Sequence, residues 1–152
     1  MTAVATIPTV TVKRRIAAPA QRIFDAWLDP ASLAEWMRPC SATDKRSDIK
    51  VDARVGGAFE FVMHVPSGPV RHTGVYQTIE PPRRLVFTWN SVHAGPNDSL
   101  VTVEFRPDGK ATEVVITHER LPEAARAGHT EGWTRLLESL ANQLATAAQA
   151  IK

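Results

Sequence analysis

The side chains best suited to chemistry in this chain are two histidines, a tyrosine and an arginine that fall in register with apolar neighbours. His72, Gly74 and Tyr76 occupy alternate positions of "VRHTGVYQTIE" and so share one strand face. His118 is in register with Ile116 near the end of "TEVVITH", and Arg14 with Val12 and Ile16 in "TVTVKRRI". Imidazole changes charge near neutral pH, so His72 and His118, with Tyr76, could orient a polar head group or move a proton. Taken singly, each reads more simply as a hydrogen-bonded residue at a sheet end. Gly74 leaves room on that face for the close approach of a helix or a ligand.

Other chemistries lack their residues. The five histidines (64, 72, 93, 118 and 129) show neither HxxxH nor HxH spacing, and Cys40 is the only cysteine, so neither a zinc cluster nor an internal disulfide is expected. No G-x-S-x-G, P-loop or dinucleotide fingerprint is present, and no cofactor is expected. Gly56-Gly57 leads into a strand rather than a helix, which suits a turn and not a phosphate cradle. The net charge is only +2, with Lys13–Arg15 and Arg83-Arg84 as the densest basic groups, too sparse for a nucleic-acid surface. No apolar run approaches the roughly 20 residues of a membrane span, and "MTAVATIPTV" lacks the basic start and apolar centre of a signal peptide, so a cytoplasmic location is expected.

The elements that must position these residues can be read in order. At 152 residues, 43% hydrophobic and 22% charged, the chain suits one globular domain over residues 1–152, with a flexible N-terminus over 1–8. A strand, "TVTVKRRI", is followed by a helix in "APAQRIFDAWL", with Ile23, Phe24 and Trp27 as its apolar stripe. In "LDPASLAEWMRP", Asp29 can cap a second short helix, Pro30 can take its first position and Pro39 can end it. Leu33, Trp36 and Met37 then share a face. About six strands follow, joined mostly by short turns such as "PSGP" and "PDGK", and they imply a mainly antiparallel sheet. A long C-terminal helix carries Trp133, Leu136, Leu137, Leu140 and Leu144 at spacings of three and four. Gly128 and Gly132 at its start suggest that something bulky approaches its first turns. The fold class is α+β.

The inward registers contain Trp36, Met37, Phe59, Phe61, Met63, Trp89, Val103 and Trp133, and so three of the four tryptophans. Tryptophan and methionine suit an adaptable apolar pocket, but periodicity fits a filled core equally well.

"RRIAAPAQRIFDAWLDPASLAEWMRP", "GGAFEF", "GVYQTIEPPRRLVFTW", "VTVEF" and "HTEGWTRLLESLANQLA", in this order over about residues 10–148, resemble the C-terminal-domain-like family of the activator of Hsp90 ATPase. That family lies within the START-like, polyketide-cyclase-like (SRPBCC) superfamily. The resemblance implies a helix-grip fold, in which a seven-stranded, mainly antiparallel sheet wraps the C-terminal helix around a deep apolar cavity, with two short helices after the first strand. It departs at Met37, where the family usually carries a second tryptophan. The implied function is binding of a small hydrophobic molecule, by a monomer or homodimer. Implied ligand-binding residues are Trp36, Met37, Phe59, Phe61, Met63 and Trp89, with Val103, Trp133 and Leu137. His72, Gly74, Tyr76 and His118 complete the set. Trp36 and Met37 are expected to close one end of the cavity, more as a gate than as a plug. One alternative is a cyclase- or hydrolase-type enzyme using His72, Tyr76 or His118. Another is a co-chaperone-like module that stimulates an Hsp90-type ATPase, although 152 residues leave no room for the co-chaperone's separate N-terminal domain.

Overall fold

The computed structural model describes residues 9–38, 46–92, 94 and 98–150. The expected flexible N-terminus, Pro39 and Cys40 lie outside the described residues. The elements run β1 (Thr9–Ile16), α1 (Ala20–Leu28), α2 (Pro30–Trp36), β2 (Asp48–Val51), β3 (Ala58–Val65), β4 (Gly68–Glu80), β5 (Arg84–Trp89), β6 (Ser99–Asp108), β7 (Ala111–Glu119) and α3 (Glu123–Ala150). The short strand β2, with no strong apolar alternation of its own, completes the six strands that follow β1. It pairs with β3 from Asp48 opposite Val62 to Val51 opposite Phe59.

The sheet order is β1-β7-β6-β5-β4-β3-β2, and every neighbouring pair is antiparallel. Tight turns produce this meander. Residues Pro66-Ser67 join β3 to β4, where Val65 faces Gly68, and Gly109-Lys110 join β6 to β7, where Asp108 faces Ala111. Gly109 takes φ +64°, a conformation open to glycine at little steric cost. Alternation then sends one set of side chains inward: Phe59, Phe61 and Met63 from β3; Leu85, Phe87 and Trp89 from β5; Val101, Val103 and Phe105 from β6. The sheet bends at β4. Its register with β5 shifts between Tyr76 and Thr78, and Thr73 bridges to Asn90 beyond the end of β5. A Cβ on Gly74 would overlap the Thr88 carbonyl oxygen and the Phe59 ring. Gly74 therefore admits neighbouring strands and Phe59, rather than the helix or a ligand.

The corner between α1 and α2 forms as its sequence requires. The Asp29 side chain accepts a hydrogen bond from Ser32 N at 3.1 Å, and Pro30 takes the first helical position. Asp29→Ala should cost about 1 kcal/mol of stability, measurable by urea denaturation. Leu33, Trp36 and Met37 are wholly buried. The Trp36 indole donates to the Ala26 carbonyl at 2.9 Å and meets the Trp27 ring edge-on at 4.8 Å. Around Trp27 stand Phe87, Phe105 and Trp133, with centroids 6.1–6.4 Å away. This half of the molecule is close-packed. Trp36 and Met37 sit within this packed half, and neither lines the cavity described below.

Candidate functional site

The space in the molecule lies elsewhere, between the first turns of α3 and the inner face of β3–β5. Trp133 marks the boundary: its ring is 6.1 Å from Trp27 on the filled side and 5.1 Å from Trp89 on the other. Beyond it is a partly open cavity of about 390 Å³. Its sheet wall consists of Met63 and Val65 from β3, Val70 and His72 from β4, and Trp89 from β5. Its helix wall consists of Ala124, Ala125, Gly128, His129, Gly132, Trp133 and Leu136.

The helix wall explains the two glycines. A Cβ on Gly128 or Gly132 would meet nothing within 4 Å. Nothing bulky approaches them, contrary to the expectation from sequence; instead, the missing side chains are part of the space. Ala124, Gly128 and Gly132, four residues apart, lie on one helix face and keep it shallow. That face carries a cost, since glycine within a helix is about 1 kcal/mol less favourable than alanine.

Of the residues expected to bind a ligand, Met63, His72, Trp89 and Trp133 line this cavity. Trp36, Met37, Val103 and Leu137 are packed in the core. Phe59 and Phe61 stack on each other at 4.6 Å and stand behind Trp89, 6.0 and 6.1 Å from its ring. Tyr76 packs against Phe59 and Phe87, and its hydroxyl has no hydrogen-bond partner among the described residues. Burial alone raises its ionisation well above the usual tyrosine range. Arg14 is half-buried on β1 and takes no part in the cavity wall.

His118 does not reach the cavity wall, but it holds the wall in place. Its ring is fully buried. The Trp133 indole N–H donates to His118 Nδ1 at 3.0 Å, so that nitrogen carries the lone pair and the ring proton sits on Nε2. His118 Nε2 is 2.8 Å from Ser99 Oγ, and the Ser99 hydroxyl donates to the Trp89 carbonyl. Protons therefore point one way along a chain from Trp133 through His118 and Ser99 to Trp89. The chain ties both cavity tryptophans to β6 and β7. A nucleophile–base pair would need the opposite order, with the serine proton pointing at an imidazole lone pair. Ser99 and His118 are arranged to position the tryptophans. Ser99 was legible in the sequence as the inward position preceding Val101 and Val103.

Burial, with the His129 ring 5.1 Å away, lowers the His118 pKa to about 3. In the unfolded chain a histidine titrates near 6.5. Between these values the unfolded state binds the extra proton. The stability contributed by neutral His118 is thus complete above about pH 6.5 and is lost as the pH falls toward 3, at about 1.4 kcal/mol per pH unit at most. His118→Gln should flatten this part of a stability–pH profile measured by urea denaturation.

A second hollow, of about 540 Å³, lies on the outer face of β2–β5. It is more open, and charged groups edge it: Lys50, Asp98 and a Glu60–Arg71 ion pair at 2.6 Å. The less open, tryptophan-lined space beside α3 is the better candidate site.

A curled antiparallel sheet gripping one long helix, with two short helices after the first strand, defines the START-like, helix-grip class. The sequence places the chain more closely: residues 17–145 match the Activator of Hsp90 ATPase homolog 1-like proteins, and the chain belongs to that family. Protein CV1439 from Chromobacterium violaceum is 29% identical over 90% of this chain and 96% of its own, with a TM-score of 0.75. CalU16 from Micromonospora echinospora is 25% identical over 87% of this chain and 73% of its own, with a TM-score of 0.67. The AHSA1-like protein from Aeromonas hydrophila, 24% identical over 93% of this chain and 94% of its own, shares the fold with a TM-score of 0.76. No curated protein matches.

Proposed function

We propose that this domain binds a small hydrophobic molecule in the cavity between β3–β5 and α3. One observation carries the reading. Two helical glycines face a space of about 390 Å³ rather than a packed neighbour, at a cost to helix stability. A volume of this size suits a small organic ligand. Met63, Val65, Val70 and Leu136 supply apolar contact, and the rings of Trp89 and Trp133 give broad flat surfaces held by the His118–Ser99 chain. The family supports a START-like ligand-binding domain.

N-phenyl-1-naphthylamine, a neutral dye that brightens in apolar surroundings, tests this reading. It should bind one-to-one and quench tryptophan emission, because two of the four tryptophans line the cavity. Native mass spectrometry of the purified protein should show a co-purifying small molecule that solvent extraction removes. Failure of the dye and of a broader lipophilic panel to bind would refute the reading.

A further inference from the structure

The cavity is not equally open along its length. At one end Met63, Trp89, Trp133 and Leu136 keep only 2–4% of their surface exposed. At the other, Ala124 and Gly128 of α3 are exposed, and Val65 and Val70 are half-buried. Met63 pairs with Val70 and Val65 with Gly68, so the open end lies beside the β3–β4 turn. From Ala124 to Leu136 the helix rises about 18 Å. The space is thus a blind channel along α3, opening between that turn and the first turns of the helix. Its closed end is firm, because the Trp133–His118–Ser99–Trp89 chain holds both tryptophans.

The two ends differ in chemistry as well. At the closed end the surfaces are indole rings, a thioether and a leucine. The wall imidazoles are engaged within the protein, His72 against the Trp89 ring at 4.9 Å and His129 Nδ1 with the Ala125 carbonyl at 2.8 Å. A polar group carried to that end would meet chiefly carbon, and burying an unpaired hydroxyl is costly. At the open end the turn reads "VPSGPV" (residues 65–70) and faces Ala124 and Gly128, so the rim holds no charge of its own. Glu123 and Arg126, the nearest charges along α3, have opposite signs.

We infer that the ligand is an amphipathic molecule bound tail-first, with one apolar end against Trp89, Trp133 and Leu136 and one polar end left in water between the β3–β4 turn and the first turns of α3. This deepens the ligand-binding reading above and rests on it. Burial of the tail supplies the affinity, and the head group keeps its hydration. A bulky, uncharged head is no obstacle, because it stays outside the mouth.

Displacement of N-phenyl-1-naphthylamine by three probes with the same ten-carbon chain tests the orientation: decan-1-ol, decyl maltoside below its micellar concentration, and decane-1,10-diol. The maltoside should displace the dye within threefold of decanol, since its disaccharide remains in water. The diol must carry one hydroxyl to the closed end and should be at least tenfold weaker than decanol. Exclusion of the maltoside while decanol binds would mean that the polar end is enclosed. Equal displacement by diol and decanol would mean that the closed end accepts a hydroxyl. Either result overturns the tail-first orientation and leaves the cavity reading standing. Dye binding that none of the three displaces would also overturn the inference. Failure of the dye and of the lipophilic panel to bind at all would overturn the ligand-binding reading with it.

Discussion

Gly128→Leu/Gly132→Leu is expected to lower affinity for N-phenyl-1-naphthylamine at least a hundredfold while leaving the protein as stable as before or more so. Substitutions that abolish binding usually damage the fold as well, and here the two effects should separate. Each leucine side chain would start from a position with no heavy atom within 4 Å and extend over the cavity between Trp89 and Leu136. Leucine is nearly as good a helix former as alanine, so each replacement removes about 1 kcal/mol of glycine penalty. Gly128→Ala/Gly132→Ala should show the stabilisation with a smaller loss of binding. Urea denaturation and dye titration on the same samples would check both. A destabilised double leucine variant would mean that the helix face is packed and not open.

Trp36→Ala is expected to behave in the opposite way. It should cost about 3–5 kcal/mol, the range for removing a buried large aromatic side chain, and leave the cavity residues in place. The indole is fully buried, donates to Ala26 O at 2.9 Å and packs edge-on against Trp27. Its removal opens a void beside α1, on the far side of Trp133 from the cavity. Were Trp36 a gate, the same substitution would speed ligand entry and release with a modest stability change. Stopped-flow dye binding alongside chemical denaturation distinguishes the two roles.

The strand order, the antiparallel meander and the Asp29–Pro30 corner were legible because short-range rules govern them: alternation, turn residues and capping. The family resemblance added the name and closure of the fold. The site was only partly legible. Alternation places Trp36, Phe61, Trp89 and Val103 inward, but an inward side chain has the same pattern whether it meets another side chain or a space. Which half of the interior is filled depends on side-chain volumes meeting across elements distant in sequence. Trp27, from α1, joins the rings that fill one half, and no comparable aromatic group projects from the first turns of α3. The glycines at 128 and 132 were the usable signal. A helical glycine reports either a close neighbour or an open space, and only the structure distinguishes them. The role of His118 depended on tertiary contacts too: its partners, Ser99 and Trp133, lie 19 and 15 residues away in sequence.

The most direct measurement is a crystal structure of the protein soaked with 10-bromodecan-1-ol, with the bromine located by its anomalous signal. A ligand cavity beside α3 requires that signal, and continuous density for the chain, between Met63, Trp89 and Gly132. Bromine found only in the outer hollow edged by Lys50 and Arg71, or none bound while the cavity stays lined as described, would contradict it.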